Sequence, residues 1–223
     1  MNTPKIKCII FDWDGTLIDS IAPLTSAFNS CCDQLGVERP NQIDLRKSFG
    51  NHSKQMLMQL VQPKLDHDVD LNKFIIEFES TFIKLYKQEP SRLILNAKDT
   101  LAKLQQQGYQ LCIASNAPRI MLDLGLKQTQ ATTFFQYIVC ADEFAAKPEP
   151  HMLEQCAIHC ETLPEQCLMV GDHCNDLLAA KAAQMRSIAV LSGSQSEKEF
   201  NAIPHAAILK NINALPQWLD DNN

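Results

Sequence analysis

The chain lacks the sequence features of several large protein classes. Its 223 residues contain no C-x-x-C pair, so neither a zinc knuckle nor a redox dithiol is predicted. No apolar stretch reaches the length of a membrane-spanning helix, and the apolar run before Asp12 is too short for a signal peptide. There is also no internal repeat and no low-complexity tract. These absences, with 45% apolar and 21% charged residues, predict a soluble globular protein with one core, or a core and a small insert.

An excess of basic residues is also missing. The chain has 26 acidic and 20 basic residues and a formal net charge of −6, which argues against nonspecific binding to nucleic acid or to an anionic membrane. An anionic substrate is still compatible, because a bound cation reverses the local sign of charge. The nine cysteines are scattered, and those in apolar runs are expected to be core residues of a cytoplasmic protein. The sequence is compatible with a monomer and with a homodimer.

Short apolar runs predict a parallel sheet. Five of them have the length and composition of buried strands: residues 8–11, 111–114, 137–140, 167–170 and 187–191. Helical patterns separate the last four runs. This alternation is typical of an α/β fold with helices on both faces of the sheet.

The connection between the first two strands is far too long for a simple crossover. It extends over residues 12–110, whereas a crossover needs only a dozen or so residues. Residues 21–35, which precede Gly36, and residues 71–85 have the apolar periodicity of amphipathic helices. We therefore predict an α-helical cap at residues 20–92, inserted into an α/β core of residues 1–19 and 93–223. An insert at this point lies over the carboxyl ends of the strands, where open α/β sheets bind ligands, and is expected to act as a lid.

The motif Asp12-x-Asp14 follows the first predicted strand. Two carboxylates two residues apart on an extended chain point to the same side, and Gly15 then allows a sharp turn. Carboxylates that converge on one spot do not both ionise cheaply without a cation. The motif therefore predicts a hard metal ion and an electrophile such as a phosphoryl group.

Further polar groups follow in order along the chain and are expected at the same edge of the sheet. They are Ser115-Asn116, Lys147-Pro148 and the pair Asp172 and Asp176. Asp12 is a candidate nucleophile towards phosphorus, and Asp14 is a candidate proton donor and acceptor. Mg²⁺ prefers oxygen ligands, which Asp12 and Asp172 supply.

The remaining groups suit a phosphate. Ser115 offers a hydroxyl and, with Asn116, backbone N–H groups that bind phosphate oxygens. Lys147 offers a point charge that offsets Asp12 and the phosphoryl group. Alone, Ser115 is equally typical of a helix N-cap, and Asp176 of a cap on the following helix.

This ordered pattern resembles the phosphatase branch of the haloacid dehalogenase superfamily. The matching stretches are residues 11–20, 115–116, 147–150 and 170–172, together with Asp176. The nearest resemblance is to the phosphoglycolate phosphatase-like and β-phosphoglucomutase-like members, and the predicted helical insert is similar to their C1-type cap. The chain departs from the pattern at Trp13, at residues 95–97, where Pro-Gly is common, and at Gln184, where glycine is common.

The resemblance implies roles for individual residues. Asp12 would be the nucleophile, Asp14 the acid and base, and Asp172 a Mg²⁺ ligand. The backbone carbonyl of Asp14 would be a further ligand, and Asp176 would support the metal or bind it directly. A Rossmann-like sheet is expected. In it, the five predicted strands, numbered in chain order, have the order 5-4-1-2-3.

Three functions are candidates for this set of groups. A Mg²⁺-dependent phosphatase acting on a small phosphomonoester explains the full set of groups, and a phosphomutase of the same fold is the alternative. A noncatalytic binding module is disfavoured because none of the chemical groups is missing. Cap cations that flank residues 49–51 are candidates for binding an anionic substrate tail, the alternative being an ordinary charged helix–loop–helix: Arg46, Lys47, His52 and Lys54. His173 is expected to be a loop residue near the metal rather than a general base.

Overall fold

Short apolar strands, buried on both faces, build the centre of the molecule. A computed structural model describes residues 4–64, 71–88 and 92–222. Its strands are β1 (Cys8–Phe11), β2 (Ile18–Asp19), β3 (Arg92–Leu93), β4 (Gln110–Ser115), β5 (Tyr137–Cys140), β6 (Cys167–Gly171), β7 (Arg186–Val190) and β8 (Ala207–Leu209). All five runs that were predicted as strands are strands, which confirms the α/β class.

Helices fill most of the remaining chain. They are α1 (Ile21–Leu35), α2 (Gln42–Ser48), α3 (Ser53–Leu60), α4 (Leu71–Gln88), α5 (Ala97–Gln106), α6 (Arg119–Thr129), α7 (His151–His159), α8 (Cys174–Ala182), α9 (Glu197–Phe200) and α10 (Leu215–Asn222). Short 3₁₀ turns occur at Gln62–Lys64, Thr132–Phe134, Pro164–Gln166 and Ile212–Ala214. Within the described residues, no helix is long and apolar enough to cross a bilayer.

The main sheet is parallel throughout and has the order β5-β4-β1-β6-β7-β8. Strand β8 was not predicted from the sequence, because only three residues form it and all three are half-buried at the edge of the sheet. Strand β1 lies between β4 and β6, so the segments that follow these three strands are neighbours.

Both faces of the sheet are covered. Ile9 and Phe11 of β1 contribute to one apolar core, to which α5, α6 and α10 also contribute, whereas Cys8 and Ile10 face a second core with α7 and α8. This alternation follows from the period of two along a strand. All nine cysteines are free, and all but Cys174 are buried, as expected of core residues.

Helices α1 to α4 occupy the long connection between β1 and β4. Phe28 of α1 packs against Phe74 and Phe78 of α4, with ring centroids 5.4 and 5.8 Å apart. At the base of this helical segment, β2 and β3 pair antiparallel, so the chain enters and leaves it at one place. The cap boundaries at residues 20 and 92 stay a prediction, and residues 65–70 and 89–91 of the predicted cap lie outside the described residues.

Candidate active site

The carboxyl ends of three neighbouring strands bring the predicted polar residues together. Asp12 directly follows β1, Ser115 is the last residue of β4, and Asp172 directly follows β6. Lys147 lies in the loop between β5 and α7, and Asp176 lies in the first turn of α8. Parallel strands place their carboxyl ends at one edge, and this edge carries the site.

Lys147 is the central cation of the site. Its side chain is 1% exposed, and Nζ lies 2.7 Å from Asp12 Oδ1 and 2.6 Å from Asp176 Oδ1. Nζ also donates to the carbonyl of Ala114 at 2.7 Å. Burial alone lowers the pKa of an ammonium, but the two carboxylates outweigh burial here and raise the pKa of Lys147 above its ordinary value. Lys147 is therefore charged and holds two acids in place.

The acids of the site carry more negative charge than Lys147 offsets. Burial raises the pKa of Asp12 well above its ordinary value, and it raises the pKa of Asp14 to about 6. Burial and the neighbouring Asp176 also raise the pKa of Asp172. Carboxylates whose ionised forms are destabilised together indicate a place for an additional cation.

The geometry of the acids fits such a cation. Carboxylate oxygens of Asp12, Asp172 and Asp176 lie within 4.8 Å of one another. Oxygen donors of this kind are those that Mg²⁺ binds in proteins. The carboxylate of Asp14 is not part of this cluster, so only the backbone carbonyl that the family resemblance implies remains as its expected contribution to a metal.

Asp172 is held by groups that the sequence analysis did not identify. Its Oδ1 accepts a hydrogen bond from Thr16 Oγ1 at 2.9 Å, and its Oδ2 accepts from the amide and hydroxyl of Ser194 at 2.7 and 3.0 Å. Gly193 lies so close that a Cβ there would be 1.9 Å from Asp172 Oδ2. The loop after β7 thus fixes the carboxylate and excludes any larger residue at Gly193.

Asp176 has two roles at once. Its Oδ1 pairs with Lys147, and its Oδ2 accepts a hydrogen bond from the amide of His173 at 3.0 Å. The second contact caps the start of α8, as the sequence had also suggested. Helix capping and membership of the acidic cluster are therefore compatible.

His173 links α8 to the helical segment. Its Nδ1 accepts from the amide of Asn175 at 3.2 Å, and its Nε2 lies 3.2 Å from the carbonyl of Lys47. Both ring nitrogens thus contact backbone groups, which agrees with the expectation that His173 is a loop residue near the site rather than a general base.

Ser115 and Asn116 line the same cavity as Asp12, and their side chains make different hydrogen bonds. Ser115 Oγ accepts from the amide of Ala117 at 3.1 Å. Helix α6 begins at Arg119, so Ser115 is not its N-cap. The Asn116 side chain donates to the carbonyls of Gly50 and Lys147 at 2.8 and 2.9 Å. Asn116 therefore joins the strand edge to the helical segment.

A cavity of about 50 Å³ lies between this edge of the sheet and the helical segment. Its polar floor includes Asp12, Asp14, Ser115 and Asn116. Its opposite wall, which the sequence analysis did not identify, includes Leu24, Phe49, Ser53, Met56 and Phe78. These side chains come from separate parts of the helical segment, and no local motif marks them.

The cations suggested for an anionic substrate tail are not among the described residues that line the cavity. Arg46 donates to the carbonyl of Gly193 at 2.9 Å, and Lys47 pairs with Glu199 at 3.1 Å. His52 accepts from the amide of Lys54 and caps α3. Arg46 and Lys47 thus hold the helical segment to the core, and a role of these cations in binding a substrate tail stays a prediction.

Comparisons with known proteins identify the family of the chain. The sequence model of the haloacid dehalogenase-like hydrolases matches residues 9–190. The chain is 31% identical over 206 residues to phosphoglycolate phosphatase of Vibrio cholerae, covering 90% of this chain and 91% of that protein. It is 32% identical over 193 residues to phosphoglycolate phosphatase of Aliivibrio fischeri, covering 84% and 85%.

A solved structure extends the similarity to the fold. The crystal structure described as a haloacid dehalogenase-like hydrolase of Bacteroides fragilis superposes with a TM-score of 0.86 at 25% identity, covering 95% of this chain and all of that one. The family model spans more than half of the chain, and the curated relatives match over most of their length. The chain therefore belongs to the haloacid dehalogenase-like hydrolases and is an enzyme similar to phosphoglycolate phosphatases.

Proposed function

We propose that the protein is a Mg²⁺-dependent phosphatase that hydrolyses a small phosphomonoester through an aspartyl phosphate on Asp12. One observation carries the proposal. Among the described residues, Asp12 is the acid that belongs both to the carboxylate cluster and to the lining of the cavity. A carboxylate in this position is able to face a metal and a substrate at the same time.

The residues of the floor divide the reaction between them. Asp12 attacks phosphorus while the bond from phosphorus to the leaving oxygen breaks, and Asp14 gives that oxygen a proton. Asp14 then takes a proton from the water that cleaves the aspartyl phosphate, which restores Asp12. A pKa of about 6 suits Asp14 to both proton transfers near neutral pH. Ser115 Oγ and the amide of Asn116 bind phosphate oxygens, and Lys147 favours the ionised form of Asp12 and holds its carboxylate in place.

Asp12, Asp172 and Asp176, with the backbone carbonyl of Asp14, would hold the Mg²⁺. Their hard oxygen donors and their uncompensated charge fit this ion. When bound, Mg²⁺ supplies positive charge that stabilises the electron-rich phosphoryl group.

The substrate is proposed to be short. On the scale of the cavity's 50 Å³, one water needs about 10–15 Å³, which favours a small leaving group. Two relatives are named phosphoglycolate phosphatases, which suggests a substrate of that type. The free, mostly buried thiols suit a cytoplasmic protein that acts on a phosphorylated metabolite.

A panel of phosphorylated metabolites tests the proposal. Phosphate release should require Mg²⁺, stop with EDTA, and be lost in Asp12→Asn, while Asp99→Asn, which changes an exposed acid of α5, should keep wild-type activity. Full activity of Asp12→Asn would contradict the mechanism. Isomerisation of a hexose phosphate faster than phosphate release would identify the alternative, a phosphomutase.

A further inference from the structure

Three buried thiols, called the thiol cluster below, lie together on the face of the sheet that α7 and α8 cover. They are Cys8 of β1, Cys112 of β4 and Cys160, which directly follows α7. Sγ of Cys112 lies 4.0 Å from Sγ of Cys8 and 3.3 Å from Sγ of Cys160, and the three sulfurs lie within 4.8 Å of one another. Positions 8, 112 and 160 form no short motif, so only the fold brings these thiols together.

The distances within the thiol cluster suit one metal ion bound by three sulfurs. Thiolates bind Zn²⁺ at about 2.3 Å, which places two sulfurs of a tetrahedral site about 3.8 Å apart. The separations of 4.0 and 3.3 Å lie on either side of this value. Packing alone explains a buried thiol, but it does not require three thiols, from two strands and a helix end, to converge on one spot.

Two further cysteines of the same apolar core bond to carbonyl groups. Cys156 Sγ donates to the carbonyl of Ile113 at 4.0 Å. Cys167 Sγ donates to the carbonyl of Leu163 at 3.4 Å and lies 3.2 Å from Thr162 Oγ1. The sulfurs of the thiol cluster instead contact one another, so the set of candidate ligands has three members.

The chemistry of the thiol cluster selects a soft ion. Sulfur ligands suit Zn²⁺ and the heavier ion Cd²⁺, whereas Mg²⁺ prefers oxygen. A divalent ion also offsets most of the negative charge of three thiolates, which matters in an apolar core. Cys8 is the first residue of β1, whereas Asp12 follows its last residue, so the thiol cluster and the acidic site lie at opposite ends of this strand.

The end of α7 offers a route for an ion. Cys160 is buried, but the next residue, Glu161, is exposed. The thiol cluster therefore lies directly beneath a helix end at the surface, and local opening of a helix end requires far less free energy than global unfolding.

We propose that the thiol cluster is a second metal site, which binds one thiophilic divalent ion of the Zn²⁺ or Cd²⁺ type through Cys8, Cys112 and Cys160. On binding, each coordinating thiol releases its proton to water, and its sulfur donates an electron pair to the ion. The ion then ties β1, β4 and the end of α7 together and stabilises the folded state. This site does not depend on the proposed phosphatase function.

The test titrates the reduced, metal-free protein with Cd²⁺, in the absence of oxygen and with excess Mg²⁺ to fill sites made of oxygen ligands. Sulfur bound to Cd²⁺ gives an ultraviolet charge-transfer absorption that oxygen ligands do not give. Wild-type protein should bind one Cd²⁺ per chain with this absorption, and its melting temperature should rise. A large excess of Zn²⁺ should remove the absorption, because both ions compete for the same sulfurs.

Cys112→Ala and Cys160→Ala should each weaken Cd²⁺ binding at least about 100-fold, since even groups that only orient a ligand change metal affinity by about 10–100-fold. Cys140→Ala is the matched control, because Cys140 is equally buried but belongs to the core on the other face of the sheet, and it should bind Cd²⁺ as wild type does. Far-ultraviolet circular dichroism checks that the variants fold, and Cys160→Ala, at a helix end, decides the test if Cys112→Ala does not fold. Absence of the charge-transfer absorption in wild-type protein, or equal Cd²⁺ affinity in Cys160→Ala and wild type, would overturn the proposal.

Discussion

Lys147 Nζ lies 2.7 Å from Asp12 Oδ1, and both side chains are buried. The pair joins the loop before α7 to the end of β1, which are far apart in sequence. Because the same ammonium also contacts Asp176, it is the main positive charge near the acids that converge at this edge of the sheet. Removing one partner of such a buried pair leaves the other charge without compensation.

Lys147→Gln should therefore damage both activity and stability. We expect kcat/KM to fall by about 10²–10³-fold, since preorganised charge at the reacting group is lost. The free energy of unfolding at neutral pH should fall by about 3 kcal/mol, because buried carboxylates lose their counter-charge. Steady-state kinetics and urea unfolding measure the two effects. Lys103→Gln, which changes an exposed lysine of α5, should alter neither, and a fully active Lys147→Gln would contradict the assigned role.

Asp14 should make stability depend on pH in the metal-free protein. Its pKa is raised by burial from an ordinary value of 3.8 to about 6 in the folded state. Below pH 3.8, Asp14 is protonated in both the folded and the unfolded state, so it does not lower the free energy of unfolding. Between the two values the folded state keeps a proton that the unfolded state has lost, and above about pH 6 the full cost of about 3 kcal/mol is present.

Asp14→Asn removes this titration. In EDTA, the variant and the wild-type protein should be about equally stable near pH 4, and the variant should be more stable by about 2–3 kcal/mol at pH 7 to 8. Urea unfolding across this pH range measures the difference. A difference that does not change with pH would show that the pKa of Asp14 is not raised. The variant should have lost phosphatase activity at every pH, because it has no proton to give.

The floor of the site could be predicted from the sequence because each of its parts sits beside a recognisable strand. Asp12, Ser115 and Asp172 follow apolar runs whose parallel arrangement sets their position. The wall of the cavity could not be predicted in the same way. Ser53 reaches it only because the helical segment packs over the sheet edge, and neither spacing nor residue type marks that contact in advance.

The contact between the loop after β7 and Asp172 could not be predicted from the sequence for a related reason. Ser194 contacts Asp172 across 22 positions of sequence. Serine and glycine residues in a loop have no distinctive pattern, so only the folded arrangement of β6 and β7 shows their purpose. The short edge strand β8 lacked a signal as well, because three half-buried residues do not show a period.

Gly193→Ala tests how closely this loop holds the acid. A Cβ at this position would lie 1.9 Å from Asp172 Oδ2, and that carboxylate is too tightly bonded to Thr16 and Ser194 to move without loss. We expect the affinity for Mg²⁺ to fall about 10–100-fold, since groups that orient a ligand matter nearly as much as the ligand. The rise in melting temperature on titration with Mg²⁺ measures this affinity without relying on turnover.

Gly36→Ala is the control for a general effect of replacing glycine. Gly36 ends α1 with φ of 66°, and a Cβ there would have no atom within 4 Å. The change should cost about 1 kcal/mol of stability through the left-handed backbone and leave the affinity for Mg²⁺ unchanged. Equal Mg²⁺ affinity in Gly193→Ala and wild-type protein would show that the loop after β7 does not position Asp172.

Gln184 offers a way to stabilise the protein without touching the site. It follows the end of α8 with φ of 58°, a left-handed backbone conformation that favours glycine. Its amide bonds to the carbonyl of Lys181, and the amide of Met185 bonds to the carbonyl of Ala180, which is the Schellman pattern that favours glycine at this position.

Gln184→Gly should therefore raise the free energy of unfolding by about 0.5–1 kcal/mol. A left-handed backbone costs a residue with a side chain about 1–2 kcal/mol, and glycine avoids this cost. The greater conformational freedom of glycine in the unfolded state offsets part of the gain. Gln106→Gly, within α5, should instead lower stability by about 1 kcal/mol, since the helical backbone there gains nothing from glycine. Urea unfolding compares both variants with wild type. Since Gln184 is exposed and lies at the far end of α8 from Asp176, kcat/KM should be the same in all three proteins. Destabilisation by Gln184→Gly would contradict the prediction. It would mean that the Gln184 side chain makes a contact that stabilises the fold by more than the backbone strain costs.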